Sequence, residues 1–320
     1  MQLTMTPAPS VGRGALDGFD TVTLSAGELE AAFAPAAGMA GVSLRHAGEE
    51  LLDRQGGLSA YAERGAVMGI PILHPWANRL AGFDYAVDGR TTRLPGGPPL
   101  VRCDEHGLPI HGLLGGSRHW RLRSASAASD GARLSAVLDF GAQPELLAAF
   151  PFPHTLRLDA MLDPDGLTIA TTLTATGDVA VPVAFGFHPY LRLPGADRST
   201  WRLDLPERRY LFTDARAIPT GHYEDEHAGR LTLGGRGFDD GFDRVAAGSE
   251  FAVAGGGRRT GVRFVTGYPS AQVFSPPGAQ FICFEPMTAP TNALRSGDGL
   301  RRVRPGAAFS AVFRIAVTAD

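Results

Sequence analysis

Two segments of this 320-residue chain each set one titratable side chain among apolar and aromatic neighbours and follow it directly with proline. They are Phe185-Gly186-Phe187-His188-Pro189-Tyr190 and Phe284-Glu285-Pro286-Met287-Thr288-Ala289-Pro290-Thr291-Asn292-Ala293. Proline has a fixed φ and no N–H, and it pushes the preceding residue toward extended geometry. His188 and Glu285 are therefore expected to end extended segments in defined orientations. Strand alternation puts Phe281, Cys283 and Glu285 on one face, so the carboxylate lies beside buried neighbours. Glu near pKa ~4.3 and His near ~6.5 already form a base and an acid. Apolar burial is expected to raise Glu285, and a nearby carboxylate to keep His188 protonated. An acid and a base on opposite sides of a small molecule are what reversible proton transfer requires.

The elements that must position these groups read as strands. Leu156, Leu158, Ala160 and Leu162 alternate with Thr155, Arg157, Asp159 and Met161; Leu167, Ile169, Thr171 and Leu173 repeat the period. Phe309, Ala311, Phe313, Ile315 and Val317 do so again. Period-two apolar spacing means half-buried strands. Asp163-Pro164-Asp165-Gly166 reads as a hairpin turn, and Pro144 to Phe150 as a helical turn or two before Pro151. With 41 Gly and 24 Pro punctuating the runs, the expected fold is all-β, a large antiparallel β-sandwich. Residues 1–20 lack periodicity and read as a loose arm or an edge strand, and residues 21–320 as one domain.

Composition excludes several functions. Net charge is −3, which favours neither a nucleic-acid nor an anionic-membrane partner. All 30 Lys+Arg residues are arginine, so Schiff-base and P-loop lysine chemistry are absent. Cys103 and Cys283 are far apart and suggest no disulfide framework, and Cys283 reads as a small buried hydrophobe. No apolar run approaches the ~20 residues of a spanning helix, nor does the N-terminus look like a signal peptide. A cytoplasmic protein is expected. No nucleophile elbow or glycine-rich phosphate loop occurs.

Five separated pieces, in order, resemble the aldose 1-epimerase (galactose mutarotase) family. They are Gly69-Ile70-Pro71-Ile72-Leu73-His74-Pro75-Trp76-Ala77-Asn78-Arg79, His111-Gly112 with Trp120 following, His188-Pro189-Tyr190, Gly237-Phe238-Asp239-Asp240-Gly241-Phe242 and Glu285-Pro286. The resemblance implies an extended antiparallel supersandwich with an open sugar-binding cleft. It implies interconversion of α and β anomers of a free hexose without cofactor, with His188 as acid and Glu285 as base. It also implies Asp239 as a hydroxyl acceptor, with Asp240 as its rival, and Gln272 as a substrate contact. Arg79 is either a surface arginine or a planar donor fork for sugar hydroxyls; Asn78 is either a turn residue or part of the site. His111 is a sugar ligand or half of a metal pair with His106, although their odd spacing in a strand argues against the pair. Tyr190, Phe187, Trp76 and Trp120 could offer flat apolar surface to a sugar ring, or could simply be core. The expected partner is a small-molecule aldose, with the protein a monomer or homodimer. Two alternatives stay open: an epimerase for a phosphorylated or modified sugar using Arg54, Arg64 or Arg102, and a sugar-binding protein without turnover.

Overall fold

Alternation along the chain becomes sheets whose inner faces carry the apolar set. The computed structural model describes residues 7–97 and 100–319. The strand His154–Asp163 buries Leu156, Leu158, Ala160 and Leu162, and it pairs antiparallel with Gly166–Ala175, Asp163 opposite Gly166. Pro164 and Asp165 are thus the two turn residues the sequence indicated. These two strands lie inside a nine-stranded sheet that also contains Ala308–Ala319 and Glu250–Gly255. Pro144–Ala149 forms the short helix expected before Pro151.

A five-stranded sheet begins with Ser10–Leu16 as its edge, hydrogen-bonded to Phe19–Ala26. The expected loose arm is therefore a paired edge strand over residues 10–16; residues 1–6 of that arm lie outside the described residues.

The site sits on an eight-stranded sheet. Across it run Pro219–Glu226, Arg208–Thr213, Phe238–Asp243, Ser270–Ser275, Ile282–Met287, Gly186–Phe187 and Ile72–Leu73, and Tyr190–Leu191 also pairs with Ile282–Met287. This sheet packs on the nine-stranded one through aromatic contacts. Phe284 meets Phe251 at 5.8 Å between ring centroids, and Phe187 meets Phe313 at 4.9 Å. Phe284 points into this core, so strand alternation turns its neighbour Glu285 to the opposite face. Among the described residues no helix is long and apolar enough to cross a membrane.

Candidate active site

The register explains why His188 and Glu285 meet. Gly186 pairs with Met287 and Tyr190 with Cys283. Continuing the same register sets His188 directly opposite Glu285. Thr288 N donates to Phe185 O, so the next hydrogen-bonding pairs along the ladder are Phe187 with Pro286 and Pro189 with Phe284. Each proline deletes one donor there. His188 and Glu285 occupy the non-hydrogen-bonded position between those pairs, where Cα atoms approach to about 4.5 Å and side chains are closest. Glu285 does not end its strand as expected, because Ser270–Ser275 goes on pairing past it, Ala271 with Pro286 and Ser270 with Met287.

His188 Nε2 lies 3.2 Å from Glu285 Oε1, and both side chains are almost fully buried. Glu285 Oε2 and His188 Nδ1 have no hydrogen-bond partner. The imidazole stacks flat on Tyr190, at 4.4 Å and 13°, and meets His111 edge-on at 5.3 Å. Burial lowers His188 to about 3. Burial first, then the Asp239 charge, holds Glu285 well above the usual carboxylate range, against the opposing pull of Arg79. The expected carboxylate charge is not there to keep His188 protonated, because the same burial favours the neutral form of Glu285.

Arg79 forms the opposite wall. Its Nε donates to Asp104 Oδ2 at 2.7 Å, and its terminal nitrogens reach Asn78 Oδ1 at 3.2 Å, Glu105 at 3.4 Å and Asp239 at 3.6 Å. Asp104 Oδ1 accepts the His106 and Leu108 N–H groups. These bonds to the ionised form lower the Asp104 pKa although burial opposes them. Asn78 and His111 both have positive φ, 54° and 64°, an uncommon state for residues with a Cβ. Their segments are locked together: His111 N donates to Asn78 O, and Leu113 N to His74 O. Gly112 closes this contact at φ 72°, where a Cβ would lie 2.2 Å from His74 O, so only glycine fits.

A cavity of about 190 Å³ is lined by Asn78, Arg79, Arg102, Asp104, Glu105, His111, His188, Tyr190, Asp239 and Glu285, together with Val67, Ile110 and Phe274. Asn78, Arg79, His111, His188, Tyr190, Asp239 and Glu285 therefore converge as expected, and one expected substrate contact does not. The exception, Gln272, does not line the cavity but shares the sheet face of Glu285, its partner in the ladder, and its Nε2 holds Asp239 Oδ1 at 2.7 Å. Asp239 faces the cavity; Asp240 faces the other side of the sheet, where burial and the Asp239 charge raise it to about 6. His106 is exposed beside Glu105, whereas His111 faces His188. Trp76, Trp120 and Phe187 belong to the hydrophobic core. Sequence reasoning missed Asp104 and Glu105; their only local signal, an acidic pair before Gly107, is that of an ordinary turn.

The family model described as aldose 1-epimerase matches residues 20–316. The uncharacterised protein YihR of Escherichia coli K12 is 26% identical over 253 residues, covering 76% of this chain and 77% of that one. A galactose mutarotase-like protein from Clostridium acetobutylicum superposes with a TM-score of 0.86 at 18% identity, over 98% of this chain and 99% of the other. The galactose 1-epimerase of Lactobacillus acidophilus gives 0.76 at 16% identity, over 97% and 98%.

Proposed function

Because the chain belongs to the aldose 1-epimerase family, we propose that it interconverts the α and β anomers of a free, uncharged hexose, with His188 as the acid and Glu285 as the base. The observation that carries this reading is the buried His188–Glu285 contact of 3.2 Å at the cavity, each partner keeping one polar atom unpaired. Glu285 takes the proton of the C1 hydroxyl while His188 gives one to the ring oxygen. The C1–O5 bond breaks and the open-chain aldehyde forms. Rotation about C1–C2 presents the other face of the carbonyl, and the two proton transfers reverse. No proton is gained or lost overall.

Burial favours neutral Glu285 and neutral His188, yet catalysis needs the carboxylate and the imidazolium. These two forms hold the same number of protons and differ only by a transfer along the contact. The reactive form is therefore reached without exchange with solvent. Arg79 and Asp239, tied to Asp104 and Gln272, hold hydroxyls remote from C1, while Tyr190 and His111 fix the imidazole plane. Preorientation of this kind lowers the barrier by positioning.

An uncharged sugar is favoured by the charge balance. Asp104, Glu105 and Asp239 line the cavity against Arg79 and Arg102, beside a Glu285 that burial favours as neutral, and neither Arg54 nor Arg64 lines it. A protein that only bound sugar would not need two buried ionisable groups in contact. The test is polarimetry of freshly dissolved α-D-glucose and α-D-galactose with wild type and Glu285→Gln. The variant keeps the shape and removes the proton acceptor, so the rate falls by roughly 10²–10⁴-fold. Wild-type rates in Glu285→Gln would sink the assignment.

A further inference from the structure

Asn78 and Asn292 are the only two asparagines in the chain, and both have a positive φ, 54° and 69°. Asn78 lines the cavity; Asn292 does not. Asn292 precedes the short helix Ala293–Ser296, a place where asparagine ordinarily gives its side-chain oxygen to the first turn. Here the side chain makes no capping bond. Its Oδ1 instead accepts the N–H of Ala81 at 2.9 Å, from a segment 211 positions away. That segment carries Arg79.

The stretch from Asn78 to Ala81 is bonded along both edges. On one edge Asn78 O accepts His111 N and Leu80 N donates to Pro109 O, at 2.9 Å each. On the other, Asn292 N donates to Arg79 O at 2.9 Å, and Ala81 N donates to Asn292 Oδ1. One residue thus reaches the carbonyl before Leu80 and the N–H after it, which is how a residue of a parallel strand bonds its neighbour. In a strand the acceptor would be that residue's own carbonyl. Asn292 O is already taken by Arg295 N and Ser296 N, which begin the helix. The side-chain amide oxygen replaces it. The position therefore calls for a short side-chain acceptor on a left-handed backbone, a region asparagine enters more readily than most residues with a Cβ.

Arg79 is 6% exposed, and its guanidinium is fixed at the tip by Asp104 and the Asn78 side chain. The two bonded edges fix the main chain from which that side chain extends. We infer that Asn292 is a positioning residue for the sugar site, acting only through Arg79, a role that rests on the sugar contact given to Arg79 under Proposed function. It closes the second edge of the Arg79 segment without touching substrate.

The experiment compares Asn292→Gly and Asn292→Asp, with Asn292→Gly also placed in an Arg79→Ala background. Glycine keeps the left-handed backbone and the N–H to Arg79 O, and removes only the side-chain acceptor. Aspartate restores an acceptor. Affinity for glucose and galactose is read by calorimetry, kcat and KM by polarimetry, and folding by denaturant titration. Asn292→Gly should lower both affinity and kcat/KM by roughly 2- to 10-fold, the range for one hydrogen bond. Asn292→Asp should regain most of that loss. In the Arg79→Ala background Asn292→Gly should cost nothing further in affinity or kcat/KM, while its cost to folding persists. The role is overturned if glycine leaves both constants at wild-type values, if aspartate restores nothing, or if the loss is as large without Arg79 as with it. Absence of mutarotation in wild type would instead overturn the proposed activity, and the affinity cycle would still decide the role of Asn292.

Discussion

Asp104→Asn separates positioning from chemistry. In the native site Asp104 Oδ1 takes the His106 and Leu108 N–H groups, and Oδ2 takes Arg79 Nε at 2.7 Å. Asparagine can keep the first pair of bonds with its carbonyl. Its amide then points a donor at the Arg79 donor. The Asp104 and Arg79 side chains are only 1% and 8% exposed, so water does not replace the lost bond. A hydrogen bond to a charged group is worth about 1.5–3 kcal/mol, which at the transition state corresponds to a loss of roughly 10- to 150-fold in kcat/KM. Glu105 and Asp239, at 3.4 and 3.6 Å, remain to pull the guanidinium out of place. The same change has a thermodynamic signature. The Asp104 pKa is lower in the folded protein than in the unfolded chain, so its contribution to stability is fully present above about pH 3.9 and is lost as pH falls through the folded value. Denaturant titrations of both proteins at neutral pH and at progressively lower pH, with kinetics by polarimetry at neutral pH, provide the assay. The stability gap should be widest at neutral pH and close in acid. A gap of constant size, or unchanged kcat/KM, would refute the role assigned to Asp104.

The acid/base pair should give wild type a bell-shaped rate profile whose limbs belong to the pair, one for gain and one for loss of a proton. His188→Asn should abolish most turnover together with the alkaline limb; survival of that limb would make another group the acid, with His111 the next to test. Arg79→Ala and Asp239→Ala should raise KM with a variable fall in kcat, measured on several aldoses; wild-type constants in both would place the two residues outside sugar recognition. Away from the cleft, His74 Nε2 and His154 Nε2 are 2.8 Å apart and buried, and burial pushes both pKa values down, that of His154 to about 4. The unfolded chain takes up their protons first, so stability should fall as pH drops from about 6.5 toward 4. The doubly substituted His74→Leu, His154→Leu protein should show a shallower decline in denaturant titrations across that window.

The parts of the molecule legible in sequence were those set by local pattern. Alternation from Leu156 to Leu162 and the Pro164-Asp165 turn specify their hairpin without help from elsewhere. The site residues were visible because proline, asparagine and histidine gather in short segments that resemble a known family. What stayed hidden depends on distant neighbours. Asp104 looks like a turn residue, and only folding brings it to Arg79, 25 positions away. Gly186–Phe187 and Tyr190–Leu191 are strands of two residues, too short to show a period. Pro286 reads as a strand terminator until the strand on its other side is known to keep pairing past it, Ala271 with Pro286 and Ser270 with Met287. The protonation of His188 was misjudged for a related reason: a sequence shows the partner carboxylate but not the depth of burial.

The two prolines also bear on how a substrate enters. At 3.2 Å, His188 Nε2 and Glu285 Oε1 stand too close for a ring oxygen and a C1 hydroxyl to lie between them. In an unbroken ladder, widening that gap would mean stretching main-chain hydrogen bonds on both sides. Here Pro189 and Pro286 have already removed one bond from each flanking pair. The sheet thus contains an expansion joint beside His188 and Glu285, where each flanking pair keeps a single main-chain bond. In the proposed reaction, separating acid from base costs their mutual contact and little of the scaffold, and the sugar hydroxyl and ring oxygen would replace that contact.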